Sequence, residues 1–252
     1  MNDVLHDYYY VHPSDVHNNA IMLRGDECIH LVKVKRCAPG AFITVVDGIG
    51  NEYTAVLQKI IDRNSAVCSI IQSRHKPNEP FVNVMLIAAL IKGDRFDYII
   101  EKAVELGVNL IVPVFSERCV RMPGGHKADR WRRIALSAMK QSHRSVLPTI
   151  SEVESFLDAV NYASSINSLR IILENVSAVP LKRYLAELSI DTFIEKGRSI
   201  VAAVGPEGGF TEEEIQTAKT KSFTAVSLGT RRLRSDTAAV AAISAIMTHC
   251  EG

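Results

Sequence analysis

Ile200-Val201-Ala202-Ala203-Val204-Gly205-Pro206-Glu207-Gly208-Gly209-Phe210-Thr211-Glu212-Glu213-Glu214 reads as an apolar strand, a glycine-rich turn and a helix start in direct succession. A continuous apolar run of this kind suits a strand buried on both faces, as in a parallel sheet covered by helices. Thr211 and Glu214 have the Thr-x-x-Glu spacing of a capping box, which marks where the helix begins. Such turns often cradle phosphate on open N–H groups. Here the carboxylates of Glu212, Glu213 and Glu214 follow at once and would repel one, while complementing the positive end of the helix dipole. The lysine and hydroxyl of a P-loop are also missing, and Gly205-x-x-Gly208-Gly209 does not match the dinucleotide fingerprint. The residues alone leave two readings: a backbone-lined pocket for a ligand without phosphates, or a glycine turn before a capped helix.

Outward from this stretch the pattern repeats. Val82 to Leu90 is a nearly continuous apolar run, Arg95 to Leu106 has helical periodicity and stops at Gly107, and Leu110 to Phe115 is again strand-like. A helix over Asp129 to Arg144, a strand over Leu169 to Leu173, a helix over Pro180 to Leu188, a helix over Glu212 to Lys219, a strand over Ala225 to Leu228 and a last helix from Ser235 follow. Strands alternating with helices imply a mostly parallel sheet covered on both faces, with ligands beyond the C-terminal strand ends. The earlier part differs. Between Tyr8 and Ser73 lie short β-rich runs, at Tyr8 to His12, Ala20 to Leu23, Ala41 to Val46, Tyr53 to Ile61 and Ala66 to Ile71, with one helix near Asp26 to Lys35. That is the pattern of a small barrel or sandwich. The expected division is residues 1–73 as a β domain, 74–80 as a polar linker with two prolines, and 81–252 as an α/β domain.

A chain of 252 residues has room for two such cores. No apolar run is long enough to span a bilayer, and Met1-Asn2-Asp3-Val4-Leu5-His6 lacks a basic-then-apolar signal segment, so a cytoplasmic protein is expected. Cys28, Cys37, Cys68, Cys119 and Cys250 form no CxxC pair or Cys/His cluster, which argues against a zinc site or a disulfide framework. Net charge is only +1, yet Arg118, Arg121, Lys127, Arg130, Arg132, Arg133, Lys140 and Arg144 crowd one segment against Asp129 alone. Positive charge concentrated in this way is what a binding face for a polyanion requires.

Three further stretches bear on chemistry. Ser227-Leu228-Gly229-Thr230-Arg231-Arg232-Leu233-Arg234-Ser235-Asp236-Thr237 also lies between a strand and a helix, so its loop opens on the same sheet edge as Gly205 to Gly209. Three arginines in one loop suit phosphate or base recognition, although Arg234 and Asp236 could instead pair with each other or cap the helix. In Lys92-Gly93-Asp94-Arg95-Phe96-Asp97 and the helix beyond it, Glu101 and Glu105 read as a solvated face. The helix carrying Trp131, Ile134, Ala135 and Ala138 packs one side and presents arginines on others; His143 near its end receives no catalytic role.

Taken together, the small β domain, KGDRFDYIIEKAVELGV, the FSERC run at Phe115 to Cys119, the basic helix ending QSHRSVLP, GPEGGFTEEE and LGTRRLRSDTA resemble the bacterial 16S ribosomal RNA uracil-N3 methyltransferase family of the SPOUT superfamily. The resemblance implies an N-terminal PUA-like small β-barrel that binds RNA and a C-terminal α/β domain with a trefoil knot and a mostly parallel sheet. It implies S-adenosylmethionine as methyl donor, 16S rRNA of the small ribosomal subunit as partner, and a homodimer. Carried onto this chain, the cofactor-binding residues are Leu173 and Glu174, Gly205, Pro206, Glu207, Gly208 and Gly209, then Leu228, Gly229, Leu233 and Thr237. Arg231 and Arg234 are the expected groups for charge on the uracil or for an RNA phosphate, and Asp236 is an acid–base candidate. Arg232 and Asp236 depart from the family pattern, which has an apolar residue and more often glutamate there. S-adenosylmethionine is a sulfonium cation without phosphates, so an acidic helix start does not exclude it. A SPOUT enzyme for another RNA nucleotide, or a non-catalytic RNA-binding ribosome-assembly protein, would share most of these features.

Overall fold

Alternation between buried and exposed side chains sets the first unit. In β3 (Ala20–Arg24) Ile21 and Leu23 point inward, as do Ile43 and Val45 of β4 (Phe42–Val46), Ala55 and Leu57 of β5 (Asn51–Ile60), and Ala66 and Cys68 of β6 (Ser65–His75). With β1 (Tyr8–Tyr10) and β2 (Val16–His17) these form one sheet in the order β1-β4-β5-β6-β3-β2. β1 pairs with β4 in parallel, and the other neighbours are antiparallel. Register shifts between Thr54 and Ala55 and between Leu57 and Lys59 bend the long β5–β6 pair. The sheet curls far enough for side chains from five strands to share one core with Cys28 and Leu31, which enter from α1 (Gly25–Ile29) and the wider helical turn after it.

The computed structural model describes residues 7–119, 127–175, 178–189, 193 and 195–251. The segment read for a signal peptide, residues 1–6, lies outside them. The chain divides into two compact units, residues 1–79 with 136–147, and residues 80–135 with 148–252. Two details differ from the sequence reading. β6 continues to His75, because its polar end still pairs with β5 as Gln72–Thr54, Ser73–Tyr53, Arg74–Glu52 and His75–Asn51. The exposed side chains there hide the strand from any apolar pattern. Residues 136–147 belong to the first unit rather than the second. Glu79 is the reason: Oε2 accepts from Arg144 Nε at 3.1 Å and Nη2 at 2.7 Å, and Oε1 accepts the N–H groups of Ser145 at 2.8 Å and Val146 at 2.9 Å. Gly50 N–H donates to Ser145 O and Leu147 N–H to Gly48 O, which ties the same segment to the β4–β5 turn.

In the second unit, β7 (Val84–Ala89) is buried along its whole length, as a central parallel strand should be. α2 (Arg95–Glu105) follows, ending where Gly107 takes a left-handed φ of 95°. A Cβ there would lie 3.0 Å from Met247 Cε and Pro80 Cγ, so glycine is also needed for the close approach. Glu101 and Glu105, read as a solvated face, both accept from Lys102 Nζ, at 2.7 and 2.8 Å. β8 (Leu110–Phe115), α3 (Lys127–Gln141), β9 (Thr149–Ile150), β10 (Glu154–Ser155), α4 (Phe156–Ser165), β11 (Ser168–Leu173), β12 (Val179–Pro180), α5 (Leu181–Ala186), β13 (Ser199–Val204), α6 (Glu212–Thr220), β14 (Phe223–Ser227) and α7 (Ser235–Glu251) complete the described elements. The sheet order is β10-β8-β7-β13-β11-β14-β12, with β9 beside β8, and every pairing is parallel. Met85, Ile87 and Ala89 of β7 pack with Phe156, Val160 and Ala163 of α4 and Ile215 and Ala218 of α6. α2 and α5 pack on α7, and α7 on β13. No helix among the described residues is long and apolar enough to cross a membrane. The cysteines are free, and burial pushes the Cys68 thiol up to about 12, far from a reactive thiolate at neutral pH.

Because Arg144 and Glu79 are almost fully buried, at 3% and 5% side-chain exposure, removing one partner strands the other charge away from water. Glu79→Ala is expected to lower the stability of the first unit by about 3 kcal/mol or more. Urea unfolding followed by the protection of amides near Arg144 checks this, and a loss under about 1 kcal/mol would mean that the pair is not what holds the segment.

Candidate methyl-donor site

Adjacent strands, not neighbouring residues, build the site. β11 lies between β13 and β14, with Ile172 opposite Ala203 and Leu173 opposite Val226, so all three strands end at one level and their loops leave side by side. Across these ends lies a cavity of about 350 Å³, within the range of small-molecule sites. Its walls are Leu173, Glu174 and Asn175 after β11; Val204 to Phe210 after β13; Val226, Leu228, Arg232, Leu233, Ser235 and Ala238 around and after β14; and Arg118 from the loop after β8. This is the strand-end crevice where open parallel sheets bind ligands.

The Gly205–Phe210 loop folds tightly back on itself. A Cβ on Gly205 would lie 3.0 Å from Phe210 N and 3.1 Å from Gly209 C, both backbone atoms that cannot rotate away. Gly209 has φ 72° and its N–H donates to Pro206 O at 2.8 Å, closing the turn. Phe210 is buried against Phe156, ring centres 4.3 Å apart. The capping box is formed: Thr211 Oγ1 accepts from Glu214 N–H at 3.2 Å, and Glu214 Oε2 accepts from Thr211 N–H at 2.8 Å. Glu214 Oε1 also accepts from Glu117 N–H at 2.9 Å, and Glu212 Oε1 accepts from Gln216 Nε2 at 2.6 Å. Two of the three carboxylates therefore have local structural partners.

Guanidinium groups surround the loop. Arg118 Nη1 donates to Gly208 O at 2.8 Å and Phe210 O at 3.3 Å, Arg232 Nη2 donates to Glu207 O at 3.2 Å, and Arg95 of α2 forms an ion pair with the Glu207 carboxylate. Of the residues expected to hold a cofactor, Leu173, Glu174, Gly205, Pro206, Glu207, Gly208, Gly209, Leu228 and Leu233 line the cavity. Gly229 and Thr237 are exposed and do not line it: Gly229 turns the loop at φ 110°, and Thr237 N–H donates to Asp236 Oδ1 at 3.0 Å. Arg231 is exposed. Arg234 Nη2 bonds Asp236 Oδ2 at 2.6 Å, the arginine side chain 64% exposed and the carboxylate only 9%, so the pairing left open by the sequence is formed. Arg118 lines the cavity without having been expected there from the sequence, and Arg232, one of the three loop arginines, lines it as well.

The dense positive segment does not present one open basic face. Lys140 bonds Glu27 at 2.5 Å and Arg144 is buried on Glu79 in the first unit. In the second, Arg130 bonds Asp97 at 2.5 Å and Asp94 at 3.0 Å, and Arg118 is on loop carbonyls. Arg132 and Arg133 remain exposed, and Arg121 lies outside the described residues. His143 stacks on Tyr8, ring centres 4.4 Å apart, which accounts for it without chemistry.

A glycine-cradled cavity on a parallel sheet, in a chain that also carries a small β unit, is matched by two family models: an RNA methyltransferase domain over residues 77–247 and an RNA methyltransferase PUA domain over residues 23–71. The class is thus an RNA methyltransferase. Similar curated proteins include the ribosomal RNA small subunit methyltransferase E of Bacillus subtilis, 30% identical with 91% of this chain and 90% of the relative covered, and that of Synechocystis, 31% identical over 94% and 75%. Among solved structures, a ribosomal RNA small subunit methyltransferase E from Neisseria gonorrhoeae bound to S-adenosyl methionine aligns with a TM-score of 0.81 at 32% identity, covering 96% of this chain and 97% of that one. A methyltransferase from Legionella pneumophila in complex with the same cofactor aligns with a TM-score of 0.81 at 26% identity, covering 96% of each chain. The chain belongs to the ribosomal RNA small subunit methyltransferase E family.

The cavity fits that donor by its own chemistry. It offers apolar walls and a glycine backbone for close approach, with the carboxylates of Glu174 and Glu207 beside the guanidinium groups of Arg118 and Arg232. Gly205→Ala must push the loop apart at Phe210 N, and overpacking of this kind costs about 1–3 kcal/mol. Calorimetric titration with S-adenosylmethionine should show affinity reduced about tenfold or more; parental affinity in a folded variant would exclude the loop from the site.

Proposed function

We propose that this protein transfers a methyl group from S-adenosylmethionine to N3 of a specific uridine in 16S rRNA of the small ribosomal subunit, acting as a cytoplasmic homodimer. The observation that carries the reading is the single cavity shared by the three loops after β11, β13 and β14. When bound, the donor supplies an electrophilic methyl group on a cationic sulfur. Leu173, Val226, Leu228 and Leu233 form apolar walls that exclude water, and the Gly205–Gly209 backbone allows close approach. Transfer would form the N3–methyl bond as the sulfur–methyl bond breaks, leaving a neutral thioether, with the N3 proton of the uracil passing to solvent water. Arg231 and Arg234 are the groups we assign to the negative charge that this places on the base, or to an adjoining phosphate. Asp236 is engaged by Arg234 and by Thr237 N–H, so its role in this reading is to orient Arg234 rather than to take the proton. Most of the acceleration then comes from holding the acceptor in line with the donor in a dry site. Reaching the Watson–Crick edge requires an unpaired or extruded base. The trefoil knot belongs to the same proposal; its support is that β13 enters the sheet between β7 and β11, both earlier in the chain.

Incubation with labelled S-adenosylmethionine and small ribosomal subunits lacking the modification is expected to place label on one uridine N3, and label on another base would redirect the acceptor assignment. In the same assay Arg234→Ala should lower kcat about 100-fold or more while donor affinity changes under about threefold. Unchanged turnover would make the Arg234–Asp236 pair purely structural.

A further inference from the structure

We infer that Arg118 is a positioning residue for the donor site, holding the glycine loop in its binding shape from across the sheet; this rests on the methyl-donor reading above. The loop after β8 and the loop after β13 are joined by bonds running in opposite directions. Arg118 sends its guanidinium to the Gly208 and Phe210 carbonyls, at 2.8 and 3.3 Å, and the Glu214 carboxylate returns to Glu117 N–H at 2.9 Å. Each bond includes one charged partner, which makes it stronger than a neutral one. The arginine stem adds a steric fit: a Cβ on Gly208 would lie 3.2 Å from Arg118 Cδ and 3.4 Å from Arg118 Cβ. Gly208 has no left-handed φ to require glycine, unlike Gly209. The glycine at 208 therefore answers to the arginine lying on it rather than to its own backbone.

The direction of the bonds matters for binding. Charged donors on the Gly208 and Phe210 carbonyls, with Arg232 on the Glu207 carbonyl, fix three peptide planes of a six-residue turn that has few regular backbone bonds of its own. Without Arg118, the turn keeps Gly209 N–H on Pro206 O and the capping box, but nothing anchors Gly208 toward β8. The cavity wall would then have to be ordered at the moment of binding, which weakens affinity.

Three measurements on the full-length protein test this. Arg118→Ala should weaken S-adenosylmethionine binding about tenfold, raise the donor KM with kcat changed far less, and speed hydrogen exchange of the 208–211 amides in donor-free protein. The thermal midpoint should stay near that of the parent, since Arg118 is exposed and Phe210 keeps its packing on Phe156 without it. Arg118→Lys can reach one carbonyl but not both, and should recover part of the affinity; it also serves if the alanine variant does not fold. Parental affinity and parental exchange in Arg118→Ala overturn the inference. Failure of the parent protein itself to bind S-adenosylmethionine would instead sink the methyl-donor reading, while the exchange data would still decide whether Arg118 holds the loop.

Discussion

The placement of β11 between β13 and β14 is the constraint on which the rest depends. Parallel pairing brings Leu173, Val204 and Ser227 to neighbouring strand ends although they are far apart in sequence. Once that register is set, three separate loops must share one mouth, and no single loop has to be a complete binding site. This explains why the glycine turn by itself was ambiguous. A backbone pocket with few polar side chains needs walls from elsewhere, and here they come from Leu173, Leu228 and Leu233.

Interactions between residues close in sequence were legible. The Thr211–Glu214 capping box follows from a spacing of three, and the end of α2 at Gly107 follows from periodicity and a glycine. The fully buried β7 was legible because a strand covered on both faces has no polar alternation to lose. The polar end of β6 was not, since its order comes from backbone pairing to β5 while its side chains face water. The site divides in the same way. Nine of the eleven expected cofactor residues line the cavity, because strand-to-loop transitions can be read from apolar runs. Arg118 reaches Gly208 over a separation of 90 residues and Arg95 reaches Glu207 over 112, and no spacing rule connects those pairs.

Charge shows the same limit. Eight lysines and arginines against one aspartate looked like a surface for a polyanion. Three of them have carboxylate partners in other segments: Lys140 on Glu27, 113 residues earlier, Arg144 on Glu79, 65 residues earlier, and Arg130 on Asp94 and Asp97 at the start of α2. Formal charge counted along a segment therefore overstates the field available to RNA, because paired cations contribute little beyond their own neighbourhood.

The acidic helix start and the arginine-rich loops resolve into one electrostatic arrangement. Glu214 is engaged by the cap and by Glu117 N–H, and Glu207, which lines the cavity, is paired with Arg95. Arg118 and Arg232 stand at the same mouth with loop carbonyls as partners, which leaves their positive charge unneutralised. A carbonyl satisfies a guanidinium N–H without cancelling its charge. The mouth thus sets positive charge beside a wall of backbone and apolar side chains, and that charge favours the approach of a polyanion. That combination requires the glycines, which keep this wall of the cavity free of side chains, and it requires the arginines to be held by dipoles rather than by carboxylates.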